Sequence, residues 1–158
     1  MWDWNYALEI LPELLIALRM TVIATLLGFL SAVIVGLLLA LAIRSRWVWL
    51  RLTAKGFNGF IRNTPLLVQV FFIYYSLPMM TGISLPAFYA GILGLGLHYS
   101  TYLSEVYRSG IEAVPRGQWE AATALNYTKL DTWRSVILPQ AIPPIIPVLG
   151  NSLIVMFK

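Results

Sequence analysis

Three charged residues near the middle of the chain are spaced so that they can meet on one face of a helix. Glu105 and Arg108 are three positions apart, and Arg108 lies four positions before Glu112. Side chains at these spacings are neighbours on a helix surface, so two carboxylates and a guanidinium can form a small ion network. Two interpretations are open: a structural network that neutralises charges beside apolar segments, or direct contact with a polar ligand.

Two further polar residues occur inside long uncharged segments. Gln69 carries an amide that would be penalised against lipid, so we expect it to face either a partner helix or a polar pathway. His98 is the only histidine in the chain. It can bind a ligand carboxylate or titrate, but a hydrogen-bonded histidine that packs between helices is the simpler interpretation.

The composition places these residues in a membrane protein. Hydrophobic residues make up 59% and charged residues 11% of the 158 residues, whereas soluble domains average about 25% charged residues. The absence of cysteine excludes disulfides, thiolate metal sites and cysteine nucleophiles. The net charge of +4 comes from residues between apolar segments, so the sequence predicts neither a nucleic-acid-binding face nor a metal site.

Uncharged stretches long enough to cross a bilayer predict an all-α membrane protein with one domain, 1–158. A crossing needs about 20 apolar residues. The predicted spans lie near residues 14–43, 64–80, 85–103 and 139–157, with a loop at 108–138 before the last one. Pro78, Gly82 and Pro86 are expected to form the turn between the second and third spans.

The basic residues predict the topology. Five of the 11 Lys and Arg residues follow the first span, and four lie between the third and fourth spans. Cytoplasmic loops are enriched in Lys and Arg, so both segments are expected inside and the acidic N-terminus, with Asp3, Glu9 and Glu13, outside. These acidic residues are unlike a signal peptide, so we expect the first span to remain as an anchor.

The loop before the fourth span has the pattern of a helix, a turn and a helix. Ala121 and Ala122 favour a short helix, Asn126 tolerates the left-handed conformation at a helix end, and Leu138-Pro139 is expected to open the fourth span. An ordinary amphipathic helix lying on the bilayer is the alternative for this segment.

This pattern resembles the EAA motif of ABC importer permeases, in which a coupling helix docks into a groove of an ATPase subunit. The family's glycine is replaced by Asn126 in this sequence. The residues that the resemblance assigns to coupling are Gly117, Gln118, Glu120, Ala121, Ala122, Leu125, Asn126, Leu138 and Pro139.

Two other segments resemble the polar amino acid uptake branch of this family. They are the run from Arg62 to Gln69, in which Arg62 is expected to anchor at the interface, and the run from Tyr102 to Glu112. The runs 98–102 and 138–147 resemble permeases for ectoine and hydroxyectoine. Lys158 resembles the start of a polar turn near the pathway, after which family members continue, so the sequence is expected to be truncated at its C-terminus.

The resemblance implies a type I ABC importer (MetI-like) transmembrane fold in the inner membrane, with about four of five spans present. A second permease copy or paralogue, an extracytoplasmic solute-binding protein and ABC ATPase subunits are the implied partners. ATP and Mg would bind to the ATPase subunits, because this chain has no Walker A motif and is expected to be neither an enzyme nor a cofactor-binding protein.

The implied cargo is a polar amino acid or a similar zwitterion. The candidate pathway or gating residues are Gln69, His98, Glu105, Arg108 and Lys158. A non-transporting scaffold or a passive channel component is the alternative.

Overall fold

The computed structural model describes residues 4–158, and in that part of the chain every regular element is helical. Residues 1–3, which include Asp3 of the acidic N-terminus, lie outside the described residues. The helices are α1 (Trp4–Ile43), α2 (Val48–Arg62), α3 (Leu66–Phe71), α4 (Leu77–Thr81), α5 (Ala87–Glu112), α6 (Arg116–Ala124), α7 (Lys129–Asp131) and α8 (Leu138–Phe157). Two π-helical segments, Phe72–Ser76 and Thr132–Ile137, join α3 to α4 and α7 to α8. The predicted all-α class is confirmed.

The centre of the molecule is the contact between α1 and α5. Small residues recur at every fourth position on the buried face of α1, namely Gly28, Ala32, Gly36 and Ala40. A Cβ atom added at Gly36 would lie 2.8 Å from the carbonyl oxygen of Ser100 in α5. Small residues let helices approach closely, which matters in lipid because apolar side chains gain no hydrophobic energy there by leaving lipid for another helix. The two helices therefore touch backbone to backbone.

A sharp bend separates α2 from the helix that follows it. The axes of Val48–Arg62 and Leu66–Thr81 meet at 104°. Thr64 precedes Pro65, and a residue before proline avoids the α conformation. Pro65 itself is extended, with φ −56° and ψ 141°, and directly precedes α3. If Leu66–Thr81 crosses a bilayer, α2 runs along the membrane surface.

The two sides of α2 have different surroundings. Ala54, Asn58 and Ile61 are buried against the rest of the chain. Trp49 is 83% exposed and Phe60 69% exposed. A helix with aromatic residues on one side suits the interface between lipid and water.

The placement of Pro78 in a turn was wrong. Pro78 is the second residue of α4, directly after the π-helical segment Phe72–Ser76, within a helix that continues to Thr81. In an α-helix the proline ring clashes with the carbonyl four residues earlier, but here Leu77 already donates to Phe72, five residues earlier. The wider π turn accommodates the proline. Gly82, with φ 74°, and Pro86 do lie in the turn before α5.

The start of the last helix also differs from the expectation. The polar connection at 129–134, expected to be a turn, is helical, and a continuous helix runs over Lys129–Phe157 rather than opening at Leu138-Pro139. Thr128 starts it, because its hydroxyl accepts a hydrogen bond from the backbone N–H of Asp131 at 3.2 Å. A π-helical segment again comes just before the proline. Likewise, residues 108–112 of the expected loop belong to α5.

Two helices of the described chain are long and apolar enough to cross a membrane, Trp4–Ile43 and Lys129–Phe157, and the bent pair around Pro65 makes a third if it counts as one span. The predicted span at 85–103 falls almost entirely within α5, which is not among the helices that are long and apolar enough to cross a membrane. Gly94, Gly96, His98, Ser100 and Thr101 reduce its apolar character. The four predicted crossings stay a prediction.

Candidate functional site

The helix α6 presents most of the motif on its exposed side. Ala122 is 1% exposed and faces the chain itself. Glu120 and Ala121 are exposed, and Leu125 at the end of α6 is 68% exposed. α6 thus exposes a carboxylate, a small residue and, at its end, an uncovered leucine, side chains that a partner could contact.

A cluster of buried apolar residues lies between α6 and the neighbouring ends of α5 and α8. Val114, Ile137 and Ala141 form a buried cluster against which Trp119 and Trp133 pack. The two indole rings meet edge to face with centroids 5.3 Å apart. Such a pair contributes about 0.5–1.5 kcal/mol beyond the burial of its area. The indole pair thereby links α6 to the helix that contains Leu138 and Pro139.

Two residues at the start of α6 have different roles. The side-chain oxygen of Gln118 accepts a hydrogen bond from Gln140 of α8 at 3.2 Å. A Cβ atom at Gly117 would meet no atom within 4 Å, so packing within the described chain does not require glycine there.

The corner after α6 has the left-handed conformation that the sequence predicts. Asn126 has φ 55°, the one positive φ at a non-glycine position in residues 4–158. The backbone N–H of Tyr127 donates to the carbonyl oxygen of Ala122 at 3.0 Å. This contact closes the end of α6 with the geometry usually made by glycine.

Glu120 forms an ion pair within α6. Its carboxylate lies 3.1 Å from Nε of Arg116, and the two side chains are 67% and 92% exposed. Exposed ion pairs contribute little to stability. Glu120 is therefore free to exchange this partner for a basic residue on another subunit.

The predicted ion network at the end of α5 is present. Arg108 donates to Glu105 through Nε at 2.9 Å and through Nη2 at 2.7 Å, and its Nη1 lies 2.5 Å from Glu112. The hydrogen bonds to Glu105, and then those to Glu112, raise the pKa of Arg108 above its ordinary value. One guanidinium thus pairs with two carboxylates.

Asn58 of α2 completes this network and was missed by sequence reasoning. Its amide nitrogen donates to Glu105 at 3.1 Å, and its amide oxygen accepts from Ser104 at 3.4 Å. Asn58 is 5% exposed. The available signal was its spacing from Ala54, one turn earlier on the buried face of α2.

Gln69 and His98, predicted separately, meet in the structure. The amide nitrogen of Gln69 lies 3.0 Å from Nδ1 of His98 and 2.8 Å from the carbonyl oxygens of both Ile61 and Thr64. The amide oxygen of Gln69 is buried without a partner. Gln69 therefore faces a partner helix and holds the bend between α2 and α3.

A recess of about 340 Å³ opens beside His98 between α5 and α8. Tyr99, Tyr102, Asn151 and Ser152 line it, and none of these four was among the candidate pathway residues. Arg62, the expected interface anchor, packs over the ring of Tyr102, with its guanidinium carbon 5.0 Å from the ring centre.

Lys158 lies apart from these groups. It borders a different apolar recess with Val22 and Leu26 of α1 and Phe157 of α8. The structure thus joins Glu105 to Arg108 and Gln69 to His98, and it does not bring Lys158 to either pair.

Comparison with known proteins finds similar proteins over most of the chain. Residues 32–158 match the family described as binding-protein-dependent transport system inner membrane component. A probable amino-acid ABC transporter permease of Sinorhizobium fredii is 48% identical over 162 residues, which cover 99% of this chain and 70% of that protein. A Rickettsia bellii protein named "Putative glutamine transport system permease protein GlnP" is 42% identical over 151 residues, which cover 96% of this chain and 67% of that protein.

Solved structures share the fold. The crystal structure of an amino acid ABC transporter with histidines superimposes with a TM-score of 0.93 at 40% identity, over 100% of this chain and 73% of that one. An inward-facing methionine ABC transporter superimposes with a TM-score of 0.67 at 21% identity, over 99% and 73% of the two chains, a likeness of fold alone. The type I importer fold expected from the sequence is confirmed.

Proposed function

The chain belongs to the family of inner membrane components of binding-protein-dependent transport systems, and from that membership we propose that it is a permease subunit of an ABC importer for amino acids. The observation that carries the substrate class is the 48% identity with an amino-acid ABC transporter permease over 99% of this chain. The superposition on an amino acid ABC transporter supports it.

We propose that α6 is the coupling helix. Its exposed side, with Glu120, Ala121 and Leu125, would enter a groove of the ATPase, and the buried Ala122 would hold it to this chain. The indole pair of Trp119 and Trp133 supports transmission of a push from α6 into the last helix.

Energy would come from the partners. ABC ATPase subunits would bind ATP and Mg, and this chain would contribute no ATPase site and no cofactor of its own. An extracytoplasmic binding protein would deliver the ligand, and a second permease copy or paralogue would complete the pathway. ATP-driven closure of the ATPase subunits would then switch the cavity between inward and outward access.

The orientation that we propose for the chain in the membrane follows from the positions of its basic residues. Arg44 at the end of α1 and Arg116 at the start of α6 would lie at the cytoplasmic face of the inner membrane. The N-terminal end of α1, with Glu9 and Glu13, would lie outside.

For the pathway, we propose a role for the recess beside His98, because side chains with polar groups line it and it lies between two helices. Gln69 would position His98, and Glu105 with Arg108 would stabilise the cytoplasmic end of α5. Lys158 is a weaker candidate for gating because it borders an apolar recess. Ectoine and hydroxyectoine remain specific cargo candidates that ligand binding by the cognate binding protein would test.

The test is co-purification with the cognate ATPase and ATP-dependent uptake into proteoliposomes. Glu120→Lys reverses the exposed charge of α6 and should reduce both ATPase retention and uptake at least tenfold, the effect of about 1.4 kcal/mol. Glu9→Lys makes the same charge change near the N-terminal end of α1, away from α6, and serves as the control. Unchanged association in Glu120→Lys would argue against the coupling role.

The scaffold or passive channel makes the opposite prediction. A scaffold gives no uptake, and a channel gives uptake that does not need ATP. Either result with the complete complex would overturn the importer proposal.

A further inference from the structure

A cleft of about 470 Å³ lies where the ends of α1 and α5 meet α2. Its charged lining consists of Arg44, Lys55, Arg62, Glu105, Arg108 and Glu112. Ligand sites commonly have volumes of about 300–1,000 Å³. The cleft is therefore large enough for a small charged group, and it is separate from the recess beside His98.

The charges in this cleft do not balance. Both carboxylates are already paired with Arg108. Within residues 4–158, Arg44, Lys55 and Arg62 have no carboxylate within 4.0 Å. Four cations and two carboxylates leave a net charge of +2 around one cavity. Neighbouring like charges are costly, so an anion bound between them would be stabilised.

Two of the unpaired cations are already held in place. The guanidinium carbon of Arg44 lies 5.8 Å from the ring centre of Trp133, and that of Arg62 lies 5.0 Å from that of Tyr102. Ring contacts restrain a guanidinium without using its N–H groups as hydrogen-bond donors to an anion. Less conformational entropy is lost when such a group binds an oxyanion.

The floor of the cleft is also fixed. Asn58 is 5% exposed and is hydrogen-bonded to Glu105 and Ser104, which locks α2 to α5. Glu105 in turn holds Arg108 through two N–H groups. The cations therefore surround a preformed space.

We propose that this cleft binds a phosphate-bearing anion. Arginine side chains match phosphate oxygens with paired N–H donors, and a phosphate group carries the charge that offsets the excess of +2. The phosphate can belong to the headgroup of an anionic lipid or to a free phosphate ion. The proposal does not depend on the transported substrate, since the cleft and the recess beside His98 share no lining residue.

The test uses the purified full-length chain in neutral detergent and measures thermal unfolding. One arm titrates phosphatidylglycerol against phosphatidylcholine, and the other titrates inorganic phosphate against chloride at equal ionic strength. Lys55→Gln and Arg44→Gln each remove one unpaired cation and should weaken the stabilising ligand about tenfold, as expected for one lost hydrogen bond to a charged group. Arg51→Gln removes a cation of α2 that does not line the cleft and should leave the affinity unchanged.

A second pair of variants tests the cleft by volume without changing charge: one fills it and the other is the matched control. Gly59 lines the cleft and Gly56 does not, and a Cβ atom at either position would meet no atom within 4 Å. Gly59→Leu should abolish the stabilisation, and Gly56→Leu should keep it. Both variants remove a helical glycine, so both should fold.

Stabilisation by phosphatidylglycerol alone would assign the site to a lipid headgroup, and stabilisation by inorganic phosphate would assign it to the free ion. No stabilisation in either arm would overturn the proposal. Equal losses in Arg51→Gln and Lys55→Gln, or in the two glycine variants, would overturn it too, because they would indicate general surface charge rather than a site.

Discussion

The amide nitrogen of Gln69 lies 3.0 Å from Nδ1 of His98. An amide nitrogen donates and does not accept, so this contact is a hydrogen bond when Nδ1 is unprotonated and the proton of the neutral ring resides on Nε2. The histidine thereby presents an N–H group on its other side. The two N–H groups of the amide are then shared among Nδ1 and the carbonyl oxygens of Ile61 and Thr64. This contact joins α3 to α5 next to the recess beside His98.

Replacing Gln69 should destabilise the bend after α2. Gln69→Leu leaves the carbonyl oxygen of Thr64 without its side-chain donor and removes one of the two donors to the carbonyl oxygen of Ile61, which still accepts from the backbone N–H of Thr64. An unsatisfied buried group costs about 1–3 kcal/mol. We expect a lower unfolding temperature of the purified chain. Gln140→Leu removes an exposed amide and should have a small effect. Equal stability of the two variants would show that Gln69 does not hold the bend.

The acceptor role of His98 can be tested by shape. His98→Asn places an oxygen close to the position of Nδ1 and should retain the bond to Gln69, whereas His98→Leu cannot accept a hydrogen bond. The asparagine variant should unfold at a higher temperature by an amount that corresponds to about 1 kcal/mol. If the leucine variant is the more stable one, the contact with Gln69 contributes nothing.

Adding one methyl group at Gly36 should disturb the centre of the molecule. The new Cβ would lie 2.8 Å from a backbone oxygen and 3.0 Å from the Cβ atom of Leu103, and neither atom can move alone. We expect Gly36→Ala to cost about 1–3 kcal/mol in thermal unfolding. Gly91→Ala is the matched control, because a Cβ there meets nothing within 4 Å. That variant should be neutral or more stable, and a similar loss in both would contradict the close contact.

The corner at Asn126 predicts a clear order of variants. Glycine adopts φ 55° without cost, whereas other residues lose about 1–2 kcal/mol and β-branched ones more. Asn126→Gly should therefore raise the unfolding temperature and retain ATPase binding. Asn126→Val should lower both. If valine is tolerated as well as glycine, the left-handed corner is not required for docking.

Local chemistry could be predicted from the sequence where one residue type decides it. The left-handed turn at Asn126 and the ion network of Arg108 follow from residue type and spacing. Pro78 could not be placed correctly, because a π-helical turn depends on packing that the sequence does not display. The sequence signals a proline but not the wider turn before it.

Contacts between distant segments were harder to predict. The four-residue repeat of small residues from Gly28 to Ala40 was visible in the sequence, yet its partner in α5 was not. Asn58 is one polar residue in an amphipathic helix, and only the fold shows that it meets Glu105 across 47 positions. Such pairings depend on how helices cross, which spacing within one segment does not determine.

The contact of Gly36 with Ser100 also limits how this subunit can move. Where two backbones touch with no intervening side chain, α1 and α5 cannot slide or rotate past each other without a collision. The pair must travel as a single mechanical body. We therefore expect any gate that opens during a transport cycle to lie at the outer faces of this pair and not between α1 and α5.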